Sequence, residues 1–230
     1  MPTYVLVGGG AGLAPDLIRH FAKDPTNEVI VSYRKLKTEI CGTYGDNVRQ
    51  VCVGDLLNPD NVAVLTNQCT NGIDCLVSLL GSVENAKLED MSPAQWFAAI
   101  NNNLTVNFNV LHACIPRMNN PSNVVVVGSV IGRTGGYGCA NYAAAKAGLQ
   151  GLVKAASNEL IPKGVRINLL ELGYIEAGMG LTINPDIRNK ITKLIPMRAF
   201  GSPTDFIEAV QYLSKVRYMT GSVLSLTGGL

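Results

Sequence analysis

Thr3-Tyr4-Val5-Leu6-Val7-Gly8-Gly9-Gly10-Ala11-Gly12-Leu13-Ala14 decides how this chain folds. A short apolar run enters a cluster of glycines, and a helical pattern over 14–23 follows directly. Glycines permit a tight strand-to-helix turn. They also let main-chain N–H groups approach a ligand at the helix N-terminus, where the dipole favours anions. At the head of a strand–helix alternation the loop reads as a phosphate cradle. Gly8, Gly10, Ala11, Gly12 and Leu13 are its candidate binding residues. An ordinary strand-to-helix turn is the plain alternative.

Outward from that stretch, apolar runs predict strands at 4–7, 29–32, 49–53, 75–79, 124–127, 166–170 and 222–226. Helical patterns lie between them, among them 93–118, 142–161 and 204–215. Alternating strands and helices, with strands apolar on both faces, predict a parallel sheet covered by helices on each side. Right-handed crossovers make this a doubly wound, Rossmann-type α/β fold, expected as a single domain over 1–230. Ligands of such sheets bind beyond the carboxyl ends of the strands. The glycine loop, Gly81, Ser129 and Gly173 all follow strands, so they are expected along that one edge. The irregular stretch 178–201, punctuated by Pro185 and Pro196, is either a lid over a substrate or a long connection.

Composition narrows the function classes. A net charge of +2 with scattered Lys and Arg argues against nucleic acid or an anionic membrane as partner. No run reaches the ~18–20 apolar residues needed to span a bilayer, and the N-terminus enters a strand at once, so a cytoplasmic protein is expected. Six cysteines without a C-x-x-C pair, and two isolated histidines, offer no zinc-ligand spacing; buried, reduced thiols are expected.

Tyr142 and Lys146 stand four residues apart in Asn141-Tyr142-Ala143-Ala144-Ala145-Lys146-Ala147-Gly148, and Ser129 ends an apolar run 13 residues earlier (142 − 129). Alanine and lysine favour helix, so the pair stacks as i and i+4 on one face. A phenol ionises near pKa ~10, and an ammonium within a few ångströms favours the ionised form. The spacing therefore predicts a phenol with a lowered pKa acting as proton donor, against the bland reading of a surface helix.

The second predicted strand leads into Ser32-Tyr33-Arg34-Lys35, and no acid appears until Glu39. An NAD site usually places an acid near the end of this strand for the ribose hydroxyls. Arg34 instead offers a planar, permanently charged fork suited to a 2′-phosphate, with Ser32 as a further donor. NADP(H) is the expected cofactor; a solvated loop end is the alternative.

With the loop, Ser129, Tyr142 and Lys146 in register, nearly the whole chain resembles a short-chain dehydrogenase/reductase. The stretch from Ala140 to Leu149 and Gly173-Tyr174-Ile175-Glu176 are most similar to the 3-oxoacyl-(acyl-carrier-protein) reductases. The resemblance implies that Asn103 is the active-site asparagine and that Asp55 and Leu56 contact adenine. It also implies that the segment with Gly173 and Ile175 holds the nicotinamide carboxamide, and that Thr227-Gly228-Gly229 is a C-terminal turn. The implied reaction is reduction of a ketone by NADPH. Tyr142 donates the proton, Ser129 bonds the carbonyl oxygen, Lys146 tunes Tyr142 and bonds the nicotinamide ribose, and Asn103 holds a water that replenishes the proton.

Some positions depart from the family pattern. Val7 replaces a threonine, Ala14 a glycine and Leu172 a proline. Ser78-Leu79-Leu80-Gly81 replaces Asn-Asn-Ala-Gly, which removes side-chain bonds expected to brace the sheet. Lys163 is a candidate contact for a carrier protein, although 119–123 is uncharged. The expected substrate is a 3-oxoacyl thioester, with a free small ketone, a quinone or a sugar-derived alcohol as the alternative. A non-catalytic nucleotide-binding sensor is the competing class, favoured by the altered loop and opposed by Ser129, Tyr142 and Lys146. Small residues on the helical stretches 96–118 and 142–161 suit either core packing or the same helices of a second subunit, and the resemblance implies a homotetramer, with a dimer as the fallback.

Overall fold

A computed structural model describes residues 1–10, 12–35 and 44–230. Ala11, expected at the cofactor, lies outside the described residues, as do Glu39 and Cys41. Chain order is β1 (Thr3–Val7), α1 (Ala14–Ala22), β2 (Glu28–Tyr33), β3 (Val48–Cys52), α2 (Pro59–Thr66), β4 (Ile73–Ser78), α3 (Pro93–Ile100) and α4 (Val106–Cys114). It continues with β5 (Met118–Val127), α5 (Ile131–Thr134), α6 (Ala140–Leu160), β6 (Val165–Leu172), α7 (Pro185–Leu194), α8 (Pro203–Lys215) and β7 (Val223–Leu226). The strands form one parallel sheet in the order β3-β2-β1-β4-β5-β6-β7.

Side-chain alternation splits the core into two layers. Val5, Val7, Ile30, Leu76, Val124, Val126, Ile167 and Leu169 pack with Val62, Val110, Leu149 and Val153 from α2, α4 and α6. Leu6, Val29, Val31, Val77, Val125, Val127 and Leu170 pack on the other face with Leu17, Ile18, Phe21, Phe206 and Val210 from α1 and α8. Burial on both faces is why these strands read as unbroken apolar runs. The doubly wound expectation therefore holds.

β1 and β4 are hydrogen-bonded neighbours, with Val7 opposite Ser78, yet the chain leaves them toward opposite ends of the sheet. This reversal of strand order opens a crevice between the glycine loop after β1 and the 79–82 loop after β4, where ligands of such sheets bind. Two helix starts follow from their chemistry. Ser92 and Gln95 form a reciprocal cap at α3, Ser202 and Asp205 do so at α8, and a proline opens each of the two.

The predicted helix over 93–118 is not continuous. It forms a π-helical turn at Asn101–Thr105 and stops at Cys114, before Pro116, which lacks an N–H to continue it. Met118, expected in the helix, instead begins β5. At the π turn the asparagine side chains compete for backbone carbonyls: Asn103 Nδ2 donates to Ala99 O at 2.9 Å and Asn107 Nδ2 to Asn103 O at 2.7 Å. No helix among the described residues is long and apolar enough to cross a membrane. Cys69, Cys75 and Cys114 are buried, whereas Cys52 is exposed.

Candidate active site

Ser129, Tyr142, Lys146 and Asn103 come together at the carboxyl edge of β4 and β5. Ser129 follows β5, and its Oγ accepts the Ile131 N–H at 3.2 Å, which fixes its turn. Tyr142 and Lys146 share a face of α6, with the Lys146 Nζ 5.8 Å from the Tyr142 ring centroid. Both are buried. Lys146 Nζ donates to Leu80 O and Val127 O, each at 3.2 Å, so the lysine ties α6 to the loop after β4 and to the end of β5.

Gly81 lies between Asn103 and Lys146. A Cβ there would sit 2.7 Å from Asn103 Oδ1 and 2.9 Å from Lys146 Nζ, so any side chain would drive these two apart. Asn103 is fully buried. Its Nδ2 donates to Ser82 O at 2.8 Å and its Oδ1 accepts from Ser82 N at 3.2 Å. The π turn thus carries Asn103 into the loop after β4.

The expected electrostatics are reversed. Burial pushes the Tyr142 phenol above its usual value, with the neighbouring Ser129 hydroxyl pulling it down less strongly. Lys146 is the more strongly shifted group: loss of water lowers its ammonium to about 8. The shift follows from desolvation, which outweighs the support that the two carbonyls give the charged amine. The phenol is thus held in its protonated, proton-donating form at neutral pH.

The expected loss of bracing at Ser78 is also corrected. Ser78 Oγ donates to Asn107 Oδ1 at 2.6 Å, and both residues are fully buried. Asn107 therefore links β4 to the π turn. Leaving one member of such a pair unsatisfied typically costs ~1–3 kcal/mol. Sequence reasoning missed Asn107, although its place four residues after Asn103 was the available signal. It also missed Asn141, whose Nδ2 donates to Glu84 O at 3.3 Å and Gln95 O at 3.2 Å, anchoring the start of α6.

The cofactor side follows β1 and β2. Gly8 has φ +100°, a conformation suited to glycine, and among the described residues beyond its chain neighbours no atom lies within 4 Å of a Cβ built at Gly10. Among the described residues no side chain caps the N-terminus of α1, so its first amides suit a ligand. Glycine loop and bare helix end together fit a bound pyrophosphate. Gly173 and Ile175 follow β6, and a Cβ at Gly173 would lie 2.8 Å from Thr227 Cα, so that segment closes tightly on the turn after β7. The 178–201 stretch lies against the cofactor loop, where a Cβ on Gly12 would collide with the Gly178 main chain. Arg188 of α7 bonds Glu176 and stacks 4.1 Å above the Phe200 ring, which holds the stretch in place.

Of the cofactor candidates on β2 and after β3, one takes a different role and two meet each other. Ser32 is buried, and its Oγ accepts the Gly8 N–H at 3.3 Å, so it braces the loop from beneath instead of reaching a ribose phosphate. Leu56 packs its side chain into the core, and its main-chain O accepts from Asn109 Nδ2 at 3.1 Å. Arg34 is exposed at the end of β2 and pairs with Asp55 at 2.7 Å, so two residues expected to serve separately meet each other.

Similarity to known proteins identifies the family. Residues 11–230 match the family described as enoyl-(acyl carrier protein) reductase. A 3-oxoacyl-(acyl-carrier-protein) reductase of Chlamydia trachomatis is 36% identical over 239 aligned residues, covering 99% of this chain and 96% of that protein. The chain belongs to the short-chain dehydrogenase/reductase family. An acetoacetyl-CoA reductase of Allochromatium vinosum is 36% identical over 187 residues, 78% of this chain and 76% of that protein. A mutant short-chain dehydrogenase/reductase of Serratia marcescens superposes with a TM-score of 0.90 at 20% identity, covering 99% of this chain and 97% of that one, and supports the fold. As a short-chain dehydrogenase/reductase close to the 3-oxoacyl-(acyl-carrier-protein) reductases, the protein is an oxidoreductase of ketones or alcohols that uses a nicotinamide cofactor.

Proposed function

We propose that this short-chain dehydrogenase/reductase reduces a 3-oxoacyl thioester to the 3-hydroxyacyl product with NADPH. The observation that carries the reading is the convergence of Ser129, Tyr142 and Lys146 beside Gly81 in the crevice between β1 and β4. The relatives named for acetoacetyl-CoA and 3-oxoacyl-(acyl-carrier-protein) reduction support the thioester. The chemistry that a nicotinamide would supply, when bound, is hydride for the carbonyl carbon. Gly8, Gly10, Gly12 and Leu13 would hold its pyrophosphate, Asp55 and the Leu56 main chain its adenosine, and Gly173 and Ile175 its carboxamide. Ser129 fixes the carbonyl oxygen, and Tyr142 gives its proton to that oxygen as negative charge develops. Lys146 holds the loop after β4 and the end of β5 and places a positive charge behind the phenol. Asn103 holds the return path for the proton. Loss of NADPH absorbance on adding a panel of 3-oxoacyl thioesters and simple ketones tests the reading, and a silent panel refutes it.

The preference for NADP(H) rests on Arg34. Its side chain is 70% exposed and that of its partner Asp55 46% exposed, so the pair contributes at most ~1 kcal/mol and yields readily to a phosphate. Charge-assisted hydrogen bonds contribute about 1.5–3 kcal/mol, so Arg34→Ala should raise the KM for NADPH by about tenfold or more and leave that for NADH almost unchanged. A preference for NADH in both parent and variant would rule the assignment out.

The outer faces of α3 and α4 leave Phe97 61% and Phe108 51% exposed, which supports a second copy packing there. A homotetramer, with a dimer as the smaller form, is the expected mass by light scattering; a monomer at micromolar concentration refutes it.

A further inference from the structure

One buried charge takes no part in the chemistry above. Glu171 is fully buried in β6, where the strand is otherwise leucine-rich, and a carboxylate there requires a cation and hydrogen bonds. Arg133 supplies both. Its Nε donates to the two carboxylate oxygens at 3.3 Å each, and its Nη2 donates to Oε2 at 3.1 Å. The same Nη2 reaches the Leu230 main-chain oxygen at 2.6 Å, while Ser225 Oγ of β7 donates to Glu171 Oε2 at 2.9 Å.

Arg133 sits in α5, the four-residue helix that begins two residues after Ser129. Val130 N donates to Leu172 O at 2.7 Å and Gly128 N to Leu170 O at 2.8 Å, so main-chain bonds to either side of Glu171 flank Ser129. On its other side α5 lies directly on α6: a Cβ at Gly132 would sit 2.9 Å from both Lys146 C and Ala147 N. A helix this short has too few bonds to hold its own position. Its placement comes from the Arg133 clamp on one side and the α6 backbone on the other.

We infer that Arg133, through Glu171, is a positioning residue that holds the Ser129 turn in register with Tyr142 and Lys146. This rests on the reading of Ser129 as the carbonyl-binding hydroxyl. A shift of about 1 Å at such a group can cost up to ~10²-fold in rate, and partial release of the turn should cost about tenfold.

Arg133→Met alone orphans a buried carboxylate and is expected to destabilise the fold, so the informative protein is Arg133→Met/Glu171→Met. Apolar replacement of both partners of a buried ion pair is often neutral for stability. The double variant is expected to melt near the parent, to bind NADPH by fluorescence with parental affinity, and to lose about tenfold in kcat. Arg133→Lys should recover part of the kcat deficit, because it keeps the charge without the fork. A double variant with parental kcat, or one whose deficit lies wholly in NADPH affinity, overturns the inference. Amide hydrogen exchange over residues 128–134 provides a readout independent of turnover. Faster exchange there in the double variant supports the clamp, and unchanged exchange overturns it. A parent silent toward every ketone would refute the reductase reading alone, and the exchange measurement would still decide what Arg133 holds.

Discussion

Replacing Tyr142 by phenylalanine should cut turnover of a ketone substrate by at least ~10²-fold, the lower bound for losing a general acid. The variant removes one oxygen from a buried ring and leaves Lys146 on its carbonyls, so fold and NADPH binding should persist. Because burial raises the phenol, the proton-donating form is fully populated at neutral pH, and reduction should fall only toward alkaline pH. Single-turnover measurements with saturating NADPH separate the chemical step from product release. Near-parental rates in Tyr142→Phe would transfer the proton donor to another group and dismantle the site as described.

A second large effect concerns Lys146. Its ammonium is held at about 8 in the fold against 10.5 when free, because burial disfavours the charged form. Between these values the unfolded chain binds more protons than the folded one, so stability rises with pH across that window. The difference of 10.5 − 8 corresponds to about 3 kcal/mol, fully lost below the lower value and fully recovered above the higher one. Lys146→Met removes the titrating group. Urea unfolding of parent and variant should therefore show the parent gaining on the variant by up to about 3 kcal/mol as pH rises from 8 to 10.5. Parallel stability curves would show that the amine is not desolvated in the fold. The same substitution should abolish measurable reduction, because the charge behind Tyr142 and the tie between Leu80 and Val127 are lost together. A fold that carries a destabilising charge for the sake of its reaction is the expected trade between stability and activity.

The places where local pattern and structure part company fall close to the chemistry. A continuous helix over 93–118 follows from periodicity alone, yet Asn103 and Asn107 redirect the backbone into a π turn because their amides find carbonyls and Ser78 within reach. Ser78 itself reads as a lost brace when compared with an asparagine. It becomes a partner once β4 and the turn are brought into contact. Glu171 is visible as an acid inside an apolar run, but nothing in the local pattern shows that Arg133, 38 residues earlier, meets it. The pairing of Arg34 with Asp55 likewise joins β2 to the loop after β3 across 21 residues.

Local chemistry was enough for the alternation of strand and helix, the glycine loop after β1, and the four-residue spacing that sets Tyr142 above Lys146. These features are written in periods of 2 and 3.6 residues and in the conformational freedom of glycine. The protonation balance of that pair, the burial of Ser32 and the clamp of Arg133 on Glu171 came from the assembled fold. Those depend on which groups lose water and which carbonyls lie within about 3 Å once distant strands pair, and a linear pattern carries no such distances.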